Sequence, residues 1–83
     1  MDHIVSTMET VTATQQLARV VREAMEQGKF SMRGMARAAP MPYVTLSRRL
    51  AGASPFTMSE LIAIATVLGT RASYLMRAAE RAA

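Results

Sequence analysis

Between Tyr43 and Leu50 the chain reads YVTLSRRL, which places two guanidiniums, two aliphatic hydroxyls and a phenol within eight residues. Wound as a helix at about 100° per residue, the segment divides into two faces. Leu46, Leu50 and the ring of Tyr43 fall on one side. Val44, Ser47, Arg48 and Ala51 fall on the other, with Thr45 and Arg49 at its edge. A small, polar and basic outward face of this kind fits a DNA major groove. There an arginine donates two hydrogen bonds to guanine and a valine packs on a thymine methyl. Thr45, Ser47 and Arg49 suit phosphate contacts at the flanks. The competing reading makes Arg48 and Arg49 solvated surface charge, and Tyr43 a partly buried ring with its hydroxyl in water.

Such a helix needs neighbours to hold it, and the flanking sequence supplies them. Pro40 ends a preceding helix, because the residue before a proline is pushed out of the α region. Pro42 begins the next at the one helical position where proline is favoured, and Gly52 stops it. Ser31 can cap the short preceding helix, which carries Met35, Ala36 and Ala39 on one face. Ala36 gives the small side chain that two helices crossing at a tight turn require. Met32, Met35 and Met41 read as core filler.

Upstream, Thr12-Ala-Thr-Gln15 fits a capping box that opens a first helix. Its stripe is Leu17, Val20, Val21, Ala24 and Met25, and Gly28 is placed to close it. Residues 1–11 show no sustained period and read as a flexible N-terminal arm, leaving 12–83 as one domain. Downstream, Ala53-Ser-Pro-Phe56 is a loop, and Thr57-Met-Ser-Glu60 is a second capping box. Leu61, Ile62, Ile64, Ala65 and Leu68 make the fourth helix apolar almost all round, which predicts the most buried element. Gly69 ends it. A fifth helix over Arg71–Arg81 has Ala72, Leu75, Met76 and Ala79 on one side. The predicted architecture is all-α, with five short helices, no strand and no sustained heptad.

The charge distribution points the same way. All six carboxylates, Asp2, Glu9, Glu23, Glu26, Glu60 and Glu80, lie outside the window from Gln27 to Ser59. Lys29, Arg33, Arg37, Arg48 and Arg49 lie inside it, and the chain as a whole carries +4. A single-sign patch on 83 residues suits an anionic partner, nucleic acid first. A solvated face with excess arginine is the alternative. There is no cysteine, and His3 is the one histidine, so the usual zinc ligands and general base are missing together. We expect no enzyme, no metal, no cofactor and no small-molecule substrate. No apolar run approaches the ~18 to 20 residues of a membrane span, and MDHIVSTMET lacks the pattern of a secretory signal. A soluble, cytoplasmic protein is expected.

Ser31-Met-Arg-Gly-Met35-Ala36, Leu46-Ser47-Arg48, Gly52 and then Leu61-Ile-Ala-Ile-Ala65-Thr-Val-Leu68-Gly69 together resemble the lambda-repressor-like (Cro-like, XRE-type) helix-turn-helix family. The resemblance spans about Leu17 to Met76. It implies that the second and third helices form the motif and that the third reads the major groove. By position, it puts Tyr43, Val44 and Arg48 against base edges and Arg33 against phosphate. Double-stranded DNA, a palindromic operator and a homodimer are implied as partners, in a bacterial or phage-host cytoplasm close to the nucleoid. Tyr74, Leu75 and Ala78 are the candidate dimer residues. Two positions depart from the family: Pro40 stands where the turn usually has glycine, and Arg49 where it has a buried apolar residue. The turn must therefore take another geometry, with Leu50 filling the apolar position. The leading reading is a small phage-type repressor or Cro-like regulator. Its alternatives are an antitoxin-like autoregulator and a helical protein-interaction module that uses the basic face.

Overall fold

In the computed structural model the backbone is described over residues 2–82 and the side chains over 12–81. Five helices follow one another: α1 (Asp2–Gln27), α2 (Met32–Ala38), α3 (Tyr43–Leu50), α4 (Met58–Leu68) and α5 (Ala72–Ala82). No strand occurs among the described residues. The five largest fully buried side chains are Val21, Met35, Leu46, Ile64 and Leu75, one from each helix. Each contributes about 1.5 to 3 kcal/mol by leaving water, so no helix is dispensable to the core. α1 lies along α5 and also packs on α3, α2 packs on α3 and α4, and α4 packs on α5.

Local chemistry sets most boundaries. The Ser31 Oγ accepts the Gly34 amide at 2.9 Å and caps α2. Thr57 caps α4 through the full reciprocal box: Glu60 N donates to Thr57 Oγ1 at 3.1 Å, and Thr57 N donates to Glu60 Oε1 at 2.9 Å. Gly69 ends α4 in the left-handed region at φ 75°, a conformation that side chains with a Cβ disfavour.

Four expectations need correction. α1 is already helical at Asp2, so Thr12 lies inside it and is not its cap. The segment before Thr12 contains neither glycine nor proline, and nothing in its sequence breaks a helix. The side chains of residues 1–11 lie outside the described set. At the other end of α1 the positive φ falls on Lys29 (59°), not on Gly28. A Cβ at Gly28 would meet the Phe30 ring at 3.0 Å, so a larger residue there would have to displace that ring by a few tenths of an ångström. Pro42 is the N-cap of α3 and not its first helical residue: its ψ is 138°, and its carbonyl accepts the Leu46 amide at 3.0 Å. Finally, Ile62 is 51% exposed and Met58 56%, so α4 keeps an open apolar flank beside the buried Leu61, Ile64 and Ala65.

The turn between α2 and α3 solves the problem that Pro40 poses. The Ala39 amide bonds to the Met35 carbonyl at 2.8 Å, and the Met41 amide reaches back to the Ala36 carbonyl at 3.0 Å. The second bond has the span of a Schellman turn's outer bond without the left-handed residue of that turn, and the usual inner bond would need an N–H at residue 40, which proline lacks. No residue of this turn has positive φ. Met41 tucks against the core between the two helices.

Candidate nucleic-acid interface

α3 is held from behind along its whole length. Leu46 is fully buried and Leu50 is 5% exposed, which fixes the rotation of the helix. At its C-terminal end the Arg22 guanidinium of α1 donates to the Leu50 carbonyl, tying two segments 28 residues apart. That bond also satisfies one of the carbonyls a helix end leaves unpaired. On the α4 side, Arg49 forms a bidentate fork with Glu60: Nε to Oε1 at 2.8 Å and Nη2 to Oε2 at 3.2 Å. Its remaining Nη1 donates to the Ser54 Oγ at 2.6 Å. The hydrogen bond from Arg49 holds the Glu60 carboxyl below its ordinary range, against the opposing effect of burial; the Thr57 amide and hydroxyl add to the lowering. The same bond raises Arg49 further above its usual value.

The front of the helix is open. Val44 is 68% exposed and Tyr43 44%, and Arg48 is exposed beside them. The Arg33 guanidinium of α2 sits 5.3 Å from the centre of the Tyr43 ring. This cation–π contact, worth about 0.5 to 1 kcal/mol at an exposed site, links the two helices across the turn. Thr45 and Ser47 are half-buried flanks. Ser47 lies on the wall of an open cleft of about 610 Å³ between α1, α2 and α3, with Met25, Met32 and Leu50 among its apolar lining.

The structure therefore brings Arg33, Tyr43, Val44 and Arg48 onto one surface, with Thr45 and Ser47 at its margins. Arg49 leaves that set, because its fork is occupied by Glu60 and Ser54 and it is only 20% exposed. The departure noted at this position has a physical reason. α3 keeps both Leu46 and Leu50 in the core, and residue 49 turns to the α4 seam, where a charged partner replaces apolar packing. Among the described residues the ion pairs are Arg19–Glu23 and Arg49–Glu60, so Lys29, Arg33, Arg37 and Arg48 remain unpaired by acids. Arg37 and Lys29 are exposed and extend the basic surface along α2 and the loop before it. Arg22 was not singled out in the sequence, and nothing local marks it: its partner is a backbone carbonyl on a distant helix.

Of the candidate dimer residues, Leu75 is 1% exposed and belongs to the core, so it cannot also meet a second copy. Tyr74 is 59% exposed, and Ala78 is half-buried.

The sequence matches no protein-family model and no curated protein. The structure is similar to the crystal structure of the clp gene regulator ClgR from Corynebacterium glutamicum. The TM-score is 0.79 at 17% identity, covering 84% of this chain and 74% of that one. At that identity the likeness shows a shared all-α fold. Among the described residues, no helix is long and apolar enough to cross a membrane.

Proposed function

We infer that this protein is a sequence-specific regulator of transcription that binds double-stranded DNA, a phage-type repressor or Cro-like protein that inserts α3 into the major groove. One observation carries this reading: α3 buries Leu46 and Leu50 and leaves Tyr43, Val44 and Arg48 exposed, with Arg48 in no ion pair among the described residues. Arg48 reads a base edge, Val44 and Tyr43 pack on neighbouring bases, and Arg33 contacts phosphate. Thr45 and Ser47 support the backbone contacts at the margins. The fold shared with the clp gene regulator supports the reading. The protein works in the cytoplasm, close to the nucleoid, and is not an enzyme.

A homodimer on a palindromic operator completes the proposal. Its contact is better placed on α4 than on Tyr74, Leu75 and Ala78. Met58 and Ile62 are exposed, apolar and one turn apart, on a helix tied to α3 through Glu60. A two-fold contact through Tyr74 would instead set Arg71, Arg77 and Arg81 against their own copies. Ile62→Glu should abolish cooperative occupancy of two half-sites and leave a monomer in sedimentation. An unchanged dimer would remove α4 from the interface.

Selection of bound sites from random duplex DNA tests the function. The expected product is a palindromic consensus with half-sites about one helical turn apart. Recovery of no consensus, with binding equal on all sequences, would reduce the protein to a non-specific DNA binder.

A further inference from the structure

α5 carries a second basic surface, separate from the first. Tyr74, Arg77 and Arg81 recur at helical spacing on one stripe, and Arg71 stands just before the helix begins. All four are exposed. They border an open concavity of about 560 Å³ that runs from Gly69 at the end of α4 to Arg81. Thr70 and Ser73 add hydroxyls to its lining, and no carboxylate lines it. None of the three arginines belongs to an ion pair of the described residues. Glu80, the one acid on α5, lines the groove against α1 instead, beside Leu17 and Met76.

The fold does not require these side chains. α5 is anchored by Leu75 and Ala79 on its opposite face, and three guanidiniums close together repel one another when nothing anionic lies among them. The polar side chains of the lining are guanidiniums that can pair bidentately with phosphate oxygens and hydroxyls that can donate to them. Along the helix axis Arg71 and Arg77 are about 9 Å apart, and Arg77 and Arg81 about 6 Å, so the charges follow a line. An acidic protein would ask for a desolvated apolar anchor at the centre, and the surface offers none beyond the Tyr74 ring.

We propose that Arg71, Tyr74, Arg77 and Arg81 form a second site for the phosphate backbone of duplex DNA, so that one copy of the chain bridges two duplex segments. This rests on the reading of α3 as the first site. The α5 surface draws no residue from α2 or α3, and α5 packs on α1 and α4. The proposal places on that surface a duplex segment other than the one in contact with α3.

The test uses the full ¹⁵N-labelled chain, titrated with a 12-base-pair duplex and followed by backbone amide shifts. A second assay, run in the Ile62→Glu background so that a dimer cannot hold two duplexes through two copies of α3, measures coincidence of two differently labelled duplexes. Two groups of shifting amides are expected, one over residues 43–50 and one over 70–81. The triple variant Arg71→Ala/Arg77→Ala/Arg81→Ala should lose the second group and at least tenfold of the bridging, while its affinity for a single selected site changes less than about threefold. Shifts confined to α3, or bridging retained by the triple variant, would overturn the second site and leave the first intact. Shifts confined to α5 would support the second site and overturn the reading of α3. If polyglutamate displaces the duplex from α5 and shifts the same amides more strongly, the surface belongs to an acidic protein and the proposal falls.

Discussion

Arg48 and Arg49 are consecutive residues of one type on one helix, and the fold gives them opposite work. Arg48 stands exposed on the front of α3 and forms no ion pair among the described residues. Arg49, about 100° around the helix, is forked onto Glu60 and bonded to Ser54. The front of α3 is thus a surface with unsatisfied donors, whereas its seam with α4 is a closed network of hydrogen bonds. A charge count treats both arginines alike. What separates them is a carboxylate placed by the capping box of the next helix, since Glu60 serves both Thr57 and Arg49.

If that division is right, the back of α3 governs stability and its front governs binding. The largest effect should come from the back. Leu46→Ala empties a fully buried position, and about 2 to 5 kcal/mol of unfolding free energy should be lost in denaturant titration. A loss below about 1 kcal/mol would mean that α3 is not anchored as described.

Glu60→Gln should act more mildly and with a pH signature. Its folded carboxyl titrates below the ordinary carboxylate range, so the stabilisation is complete above that range and is lost as pH falls through the folded value. The melting-temperature gap between wild type and Glu60→Gln should accordingly be widest near neutrality and close on acidification. A gap independent of pH would show that the fork contributes nothing through charge. The smallest effect belongs to the front: Arg33→Ala should weaken binding to all sequences alike and reduce the salt slope by about 1, with melting lowered only by the about 0.5 to 1 kcal/mol of its contact with Tyr43. An unchanged slope would rule out its phosphate contact.

Much of this architecture was legible in the sequence. Ser31 and Thr57 announced their helices because an N-cap is a local event, settled within four residues. Spacing alone puts Leu46 and Leu50 in the core and Val44 and Arg48 outward; it sets the Tyr43 ring on the core side, and only the family likeness puts that residue, 44% exposed, among the base contacts. What escaped were contacts between segments far apart in sequence. The Arg22 bond to the Leu50 carbonyl and the Arg49–Glu60 fork depend on how helices pack, which no local pattern encodes. Ala18 is fully buried in α1, yet alanine is too weak a signal for the sequence to mark it. Ile62 was assigned to the core from composition; α4 is apolar on more of its circumference than the fold can cover. Pro40 excludes a glycine-type turn on sequence alone, while the closure that replaces it, Met41 to Ala36, depends on the path of the chain in three dimensions.

The division between Arg48 and Arg49 can be tested in one paired measurement: base preference across the selected operator, set beside melting temperature, for Arg48→Ala and Arg49→Ala. Arg48→Ala should lose about 1 to 3 kcal/mol of discrimination at a single base pair while melting with the wild type. Arg49→Ala should melt lower and keep the base preference of whatever fraction stays folded. Lost base preference in Arg49→Ala together with unchanged preference in Arg48→Ala would contradict the account, because the reading face would then lie on the side of α3 that the structure closes against α4.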